Sequence, residues 1–546
     1  MKTTGRRSLD AGGFAASAQN DGMGKGQGVD VAEGEVQGEW TLPDRWVWTT
    51  IGDVADTTSG GTPSRKRSRY YMDGTIPWVK SGELRDGVVS NAEESITKEA
   101  LDSSSARVFP KDTPLVALYG ATVGRTGILG INAATNQAVC AIFAWQSAFT
   151  PEFIVYWLRF QRPQLIEMSS GGAQPNISQQ IVRAFPLPLA PLPEQRRIVA
   201  EIETQFTRLD AGVAALERAR ANLRRYKASV LKAACEGRLV PTEAELARAG
   251  GRDYEPADQL LTCILAERRA RWEAENPGKK HKEPAPPDTE GLPELPEGWA
   301  YSLIEPLLST SRSGMKTGPF GSLLKKHEHR PEGIPVLGIE NIGPTGYVPG
   351  NKIFITEKKA DQLSKYDVQP NDILISRSGT VGEVCIVPEG LGPARFSTNL
   401  MRIVLTPNSM LPKFFIFLFN GSPFVLDQVS ELCSGSTRDF LNQKILKSVV
   451  FPLPPLPEQR RIVAEVERRL SVVAALEASV EAALARARRL RQAVLKRAFE
   501  GRLVPQDPND EPASVLLERI RAQRETGKKA GKTNRKKKQL RQLELL

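Results

Sequence analysis

The sequence predicts an α+β fold: two mixed α/β domains in tandem, each followed by a long helix, the two helices pairing as an antiparallel coiled coil. Three observations predict it. The run Pro191-Leu192-Pro193-Glu194-Gln195-Arg196-Arg197-Ile198-Val199-Ala200-Glu201 returns unchanged at Pro455 to Glu465. Apolar residues follow each run at spacings of three and four, the signature of a helical seam. Before each run, short β-rich segments alternate with Gly/Pro turns.

Residues 1–38 are rich in Gly, Ala, Ser and charge, lack the apolar core of a signal peptide, and read as a disordered extension. The first domain is expected over residues 39–190. Its strands include Thr113 to Tyr119 and Val139 to Phe143, and Pro151 to Phe160 reads as a buried helix with proline in its first turn. Residues 191–292 form the first repeated helix and a linker. Pro193 suits the first helical position, Glu194 complements the positive helix end, and Gly237 ends the helix. The seam runs Ile198, Ile202, Phe206, Leu209, Val213, Leu216, Leu223, Tyr226, Val230. Near 43 residues at 1.5 Å each, it should span about 65 Å.

The second domain is expected over residues 293–454, with strands near Asp372 to Ile375 and Met401 to Leu405 and a buried helix over Leu411 to Phe419. It diverges strongly from the first but keeps a skeleton. Leu42-Pro43-Asp44-Arg45-Trp46 matches Leu295-Pro296-Glu297-Gly298-Trp299, and Ile76-Pro77-Trp78-Val79 matches Ile334-Pro335-Val336-Leu337. Gly120 to Gly124 matches Ser378 to Gly382, and Thr135-Asn136 is paired with Thr398-Asn399. Residues 455–523 repeat the helix, with the seam Ile462, Val466, Leu470, Val473, Leu476, Val480, Leu484, Leu490, Val494 and a stop at Gly501. Two equal seams in one chain pack most simply on each other, antiparallel. Residues 524–546 form a basic tail: from Arg519 to Leu546 there are eleven Lys or Arg against two Glu, nine of the net charge of +11.

The sequence carries no recognisable catalytic motif. There is no phosphate loop; Gly22-Met23-Gly24-Lys25-Gly26 has the wrong spacing. There is no nucleophile elbow, no HExxH, and no Asn-Pro-Pro-aromatic tetrad for a flipped base. The histidines are His281, His327 and His329, and the pair at 327 and 329, in a basic loop, reads as surface rather than a metal site. The five cysteines (Cys140, Cys235, Cys263, Cys385, Cys433) lack paired spacing and read as reduced, buried thiols of a cytoplasmic protein. No apolar run is long enough to span a membrane.

The doubled Pro-Leu-Pro-Glu-Gln-Arg-Arg-Ile-Val-Ala-Glu runs, the Leu-Pro-x-x-Trp starts and the Gly-Thr-Val-Gly-type loops resemble the specificity (S) subunit of type I restriction–modification systems. The resemblance covers roughly residues 39 to 520. It implies two target recognition domains, each reading one half of a split, asymmetric DNA site, and helices that set the gap. It implies two methyltransferase (M) subunits and ATP-driven restriction (R) subunits as partners. S-adenosylmethionine, ATP and Mg are then expected in those partners, with no cofactor, metal or catalytic residue in this chain. Two alternatives stay open: the specificity subunit of a type II system, and a structural adaptor whose globular parts bind protein.

DNA is read through base edges while phosphate contacts fix register. In the first domain the candidates are Arg65, Lys66, Arg67, Arg69 and Tyr70, within a run of four basic residues beside two aromatics that ends at Tyr71, with Lys80, Arg125 and the loop Gln174-Pro175-Asn176. In the second they are Lys316, Lys325, Lys326, Arg377 and Arg438. Asn176 and Asn341 have the amides that bond adenine edges, although loop asparagines also form turns.

Overall fold

A computed structural model describes residues 40–169, 176–319, 323–343, 346–433 and 440–526. The chain divides into two compact units: residues up to Arg208 together with those from Arg489 onward, and Leu209–Arg488. The readings of residues 1–38, of Gln174-Pro175, of Arg438 and of all but the start of the basic tail lie outside the described residues.

In the first unit, one sheet runs in the order β1 (Ala55–Ser59), β9 (Val139–Ala144), β6 (Pro114–Ala117), β7 (Thr126–Leu129), β3 (Gly87–Val89). A second runs β4 (Glu94–Ile96), β2 (Ile76–Val79), β8 (Ala133–Thr135), β5 (Val108–Phe109). Helix α1 (Pro151–Phe160) buries Phe153, Ile154, Val155, Trp157 and Leu158. Its start is fixed by Thr150, whose hydroxyl accepts from Phe153 N, and by proline in the first turn.

The second unit repeats this plan. One sheet runs β10 (Met315–Thr317), β16 (Leu400–Ile403), β13 (Ile373–Ser376), β14 (Val384–Ile386). Another runs β12 (Phe354–Ile355), β11 (Ile334–Leu337), β15 (Arg395–Phe396), the last pair parallel like β2 and β8. Helix α4 (Pro412–Gly421) is buried through Phe414, Phe415 and Leu418.

The ladders correct two sequence pairings. Ser378 stands for Tyr119 rather than for Gly120, because the bonds from Leu118 N to Ala138 O and from Arg377 N to Asn399 O are equivalent. The two Thr-Asn dipeptides do not correspond either. Thr135 lies opposite Val79, but Phe396 lies opposite Leu337 in the matching parallel pair. Gln137, not Thr135, is therefore the counterpart of Thr398. The two Thr-Asn dipeptides are two positions out of step, because a short polar match carries no register.

The long helices are α2 (Leu192–Cys235) and α5 (Leu456–Phe499), with α3 (Ala257–Glu275) after the first. Each long helix starts one residue earlier than expected. Gln195 N and Gln459 N donate to the carbonyls of Pro191 and Pro455, which places the proline at the second helical position, where its missing N–H is still harmless. Gly237 and Gly501 end them at φ +66° and +69°. Arg238 N reaches Ala233 O at 2.9 Å and Arg502 N reaches Arg497 O at 2.8 Å, the wrap of a left-handed C-cap.

The helices pack against each other. In the second unit Arg220 pairs with Glu481 at 3.3 Å while Tyr226, further along α2, meets Arg469, earlier on α5. In the first unit Arg491 lies 4.8 Å over the Phe206 ring. Numbers rising on one helix and falling on the other define an antiparallel coil. Val473, Val480 and Leu484 are buried in it, but Tyr226, Leu476 and Leu490, expected in the seam, are nearly half exposed. A two-helix contact covers a stripe narrower than the apolar face the sequence carries.

Candidate nucleic-acid interface

Each globular domain is bolted to a long helix by the Glu-Gln pair that opens the repeated run. Glu194 accepts from Trp46 Nε1 at 3.0 Å and Glu458 from Trp299 Nε1 at 2.8 Å. Both carboxylates are buried, and desolvation pushes both above the usual carboxylate range. Gln195 donates to Ala148 O and Ala190 O, and Gln459 to Ser409 O and Pro454 O. The segment after the opposite helix closes each joint. Arg197 pairs with Asp510 at 2.7 Å in the first unit, and Arg461 pairs with Glu243 in the second. Burial opposes ionisation of Glu243, but the guanidiniums of Arg252 and Arg461 outweigh it and hold that carboxyl below its ordinary range. Arg524, read from sequence as the start of the tail, lies in a helix over residues 513–526. It donates to Gly52 O at 2.6 Å and Asp53 O at 2.9 Å, as Arg268 of α3 donates to Leu308 O at 2.5 Å.

With the domains so held, the sheets deliver their loops to one end. In the first domain Leu118 N bonds Ala138 O, Asn136 N bonds Val79 O, Gly61 N bonds Thr135 O, and Ile177 N bonds Leu118 O. The loops after β1, β2, β6 and β8 and the strand bridge at Asn176 therefore share one edge. It gathers Lys80, Arg125 and Asn176, and beside it lies the loop of Arg65, Lys66, Arg67 and Arg69. Arg125 and Asn176 are exposed. The hairpin tip that carries Arg125 is tied down by Arg162, whose Nε donates to Gly124 O at 2.9 Å.

The basic loop divides into spent and free charges. Arg65 pairs with Glu94 at 2.6 Å and stacks 4.4 Å over Tyr71. Lys80 reaches Glu93 at 3.1 Å and Glu94 at 3.0 Å. These cations hold Glu94 below the usual carboxylate range, the Arg65 hydrogen bond leading. Arg69 pairs with Glu99 at 2.9 Å, and Arg67 donates to the Tyr70 hydroxyl at 2.5 Å. Lys66 is exposed and makes no ion pair among the described residues. Tyr70 is not a surface aromatic: at 2% exposure it packs with Trp78, Ile96 and Ala134. Its flank of four cations masks a ring that closes a core.

In the second domain the same topology brings Gly318, Gly338, Arg377 and Asn399 to the corresponding end: Gly318 N bonds Leu400 O, Arg377 N bonds Asn399 O and Ser397 N bonds Leu337 O. Lys325 and Lys326 are exposed on the loop between β10 and β11, the place held by the Arg65–Arg69 loop in the first domain. Lys316 lies within β10, half-buried, 5.5 Å over Tyr366. Arg377 is not a surface charge either. It is 5% exposed, donates to Leu441 O and Thr398 O at 3.2 Å each, and lies 4.4 Å over Phe440. Its backbone bonds match those of Leu118, a buried position in the first domain, which is why the side chain turns inward. Asn341 is fully buried and brackets its own turn, accepting from Gly338 N and donating to Val348 O and Gly350 O.

The edge also carries residues that sequence inspection passed over: Thr62, Gln137 and Tyr119 in the first domain, Ser378 and Phe440 in the second. The alternation of buried Leu118 and exposed Tyr119, and of Gln137 and buried Ala138, was the available signal. Four of the cysteines are buried as expected, but Cys263 is exposed on α3, off the helix's buried stripe of Ala257, Leu260 and Ile264. Among the described residues no cluster of His, Cys, Asp and Glu could hold a metal ion, and no helix is long and apolar enough to cross a membrane.

Comparison with known proteins agrees with this architecture. The chain is 25% identical over 517 residues to the type I restriction enzyme EcoBI specificity subunit of Escherichia coli, covering 92% of this chain and 98% of that protein. It is 23% identical to the StySPI specificity subunit of Salmonella potsdam, covering 91% and 99%. A solved structure reported for complex assembly and conformational transition of the type I R-M system superposes with a TM-score of 0.61. It is 21% identical and covers 85% of this chain and all of its own, and it supports the fold. The family described as type I restriction modification DNA specificity domain matches residues 43–218 and 320–482, more than half of the sequence. The chain thus belongs to the type I restriction–modification DNA specificity family, as a specificity subunit.

Proposed function

We propose that this chain recognises DNA on behalf of a type I restriction–modification complex, each domain reading one half of a bipartite, asymmetric site. The observation that carries the reading is an edge found in each domain: sheets of equivalent topology deliver their loops to the corresponding end of their own domain but present different side chains there. Equivalent scaffolds with unlike edges suit two unlike half-sites, since sequence is read by the side chains that meet base edges. The coiled coil acts as the spacer that sets the gap between them. The apolar residues it leaves exposed, Tyr226, Val472 and Leu476, favour docking of two methyltransferase subunits, which in turn admit the restriction subunits. Methylation and cleavage belong to those partners, which hold S-adenosylmethionine, ATP and Mg, in the cytoplasm; this chain performs no catalysis.

The test is selection from a random-sequence duplex library by the complex of this chain with its methyltransferase subunits. Enrichment of two short motifs at a fixed spacing is expected. Binding that is indifferent to sequence would overturn the reading.

A further inference from the structure

Resting on that reading, we infer which side chains set the specificity of each half-site: Gln137, Tyr119 and Asn176 in the first domain, and Thr398, Ser378 and Phe440 in the second. The ladders carry this. Ala117 lies opposite Val139, and Leu118 N bonds Ala138 O, so the next pair across the strands is Tyr119 with Gln137. On its other side Tyr119 bridges Asn176. Directly opposed residues share a face. The three side chains therefore form one row across the end of the sheet, about 10 Å wide at the usual strand spacing. That width is comparable with the roughly 12 Å major groove.

All three are accessible. Tyr119 is 38% exposed, and Gln137 and Asn176 are exposed as well. The Thr62 hydroxyl donates to Gln137 Oε1, which orients the amide and leaves its two N–H donors outward. A held amide beside a tyrosine and a second amide offers both donors and acceptors to purine edges, whereas Arg65, Arg67 and Arg69 offer donors alone and already engage Glu94, Tyr70 and Glu99.

The second domain fills the same ladder positions differently. Arg377 N bonds Asn399 O and Leu441 N bonds Arg377 O, matching the bonds of Leu118. Ser378 therefore stands for Tyr119, Thr398 for Gln137 and Phe440 for Asn176. Two hydroxyls and a ring replace two amides and a phenol. Ser378 Oγ is held by Asn399 Oδ1 at 3.2 Å, and Phe440 is 39% exposed above the Arg377 guanidinium. This row favours small polar contacts and an apolar contact such as a thymine methyl.

The experiment is methylation mapping by the full complex carrying Gln137→Ala, Asn176→Ala, Ser378→Ala or Phe440→Ala. The unsubstituted complex must first methylate a split motif; if it does not, the functional reading itself fails. Given that motif, the Gln137 and Asn176 variants should relax discrimination roughly tenfold at positions of one half only. The Ser378 and Phe440 variants should relax the other half, with the gap unchanged. Gel filtration with the methyltransferase subunits identifies any variant that does not assemble, and the variants that do assemble decide. An unaltered motif in them, or relaxation scattered over both halves, overturns the assignment.

Discussion

Leu118 and Arg377 hold one ladder position in two domains, and their contrast separates burial from charge. The Arg377 guanidinium satisfies two buried carbonyls and supports Phe440, so Arg377→Ala should cost about 1–3 kcal/mol of stability, chiefly through polar groups left unpaired. Lys66→Ala should leave the melting temperature unchanged and lower the salt dependence of DNA binding by about one phosphate contact. Thermal melts and salt titrations of the complex check both, and a reversed pattern would mean that the two roles were misassigned. Basic residues are visible in a sequence; whether a cation faces solvent, a carboxylate or a carbonyl is decided by strands far away in the chain. Tyr70 and Arg377 looked like contacts for that reason, while Asn176 and Arg125 were placed on the exposed edge.

At the scale of elements, the sequence was most readable where periodicity and caps act locally. Helix α1 begins and ends where the pattern places it, and both long helices stop at their glycines. Those glycines meet two demands. Their φ is left-handed, and a Cβ on Gly237 would lie 2.6 Å from Pro296 Cγ while one on Gly501 would strike Pro43. Gly501→Ala should therefore destabilise the first unit by about 1–2 kcal/mol from backbone conformation, with the collision added. Denaturant unfolding of the chain measures it; an unchanged midpoint would show that the joint yields freely. What periodicity did not reveal is the width of the seam. Tyr226, Leu476 and Leu490 carry the right spacing yet stay nearly half exposed, because spacing defines a face and not what covers it. The Thr-Asn pairing failed similarly, since register depends on hydrogen bonds between distant strands.

Over the whole molecule the duplication was legible in its repeated runs but not in its joints, since Arg524 read as the start of a tail. Trp46 with Glu194 and Trp299 with Glu458 are one device used twice, as are Arg524 and Arg268. The two domains diverge instead through most of their length, and the loops at one end of each sheet present different chemistry. The account therefore stands on one claim: one chain reads two unlike half-sites. Genome-wide methylation mapping of the host with and without this gene tests it most directly. The account predicts that a single split, asymmetric motif with a fixed gap loses its methylation when the gene is removed. An unchanged methylation pattern, or loss of a contiguous motif instead, would contradict it.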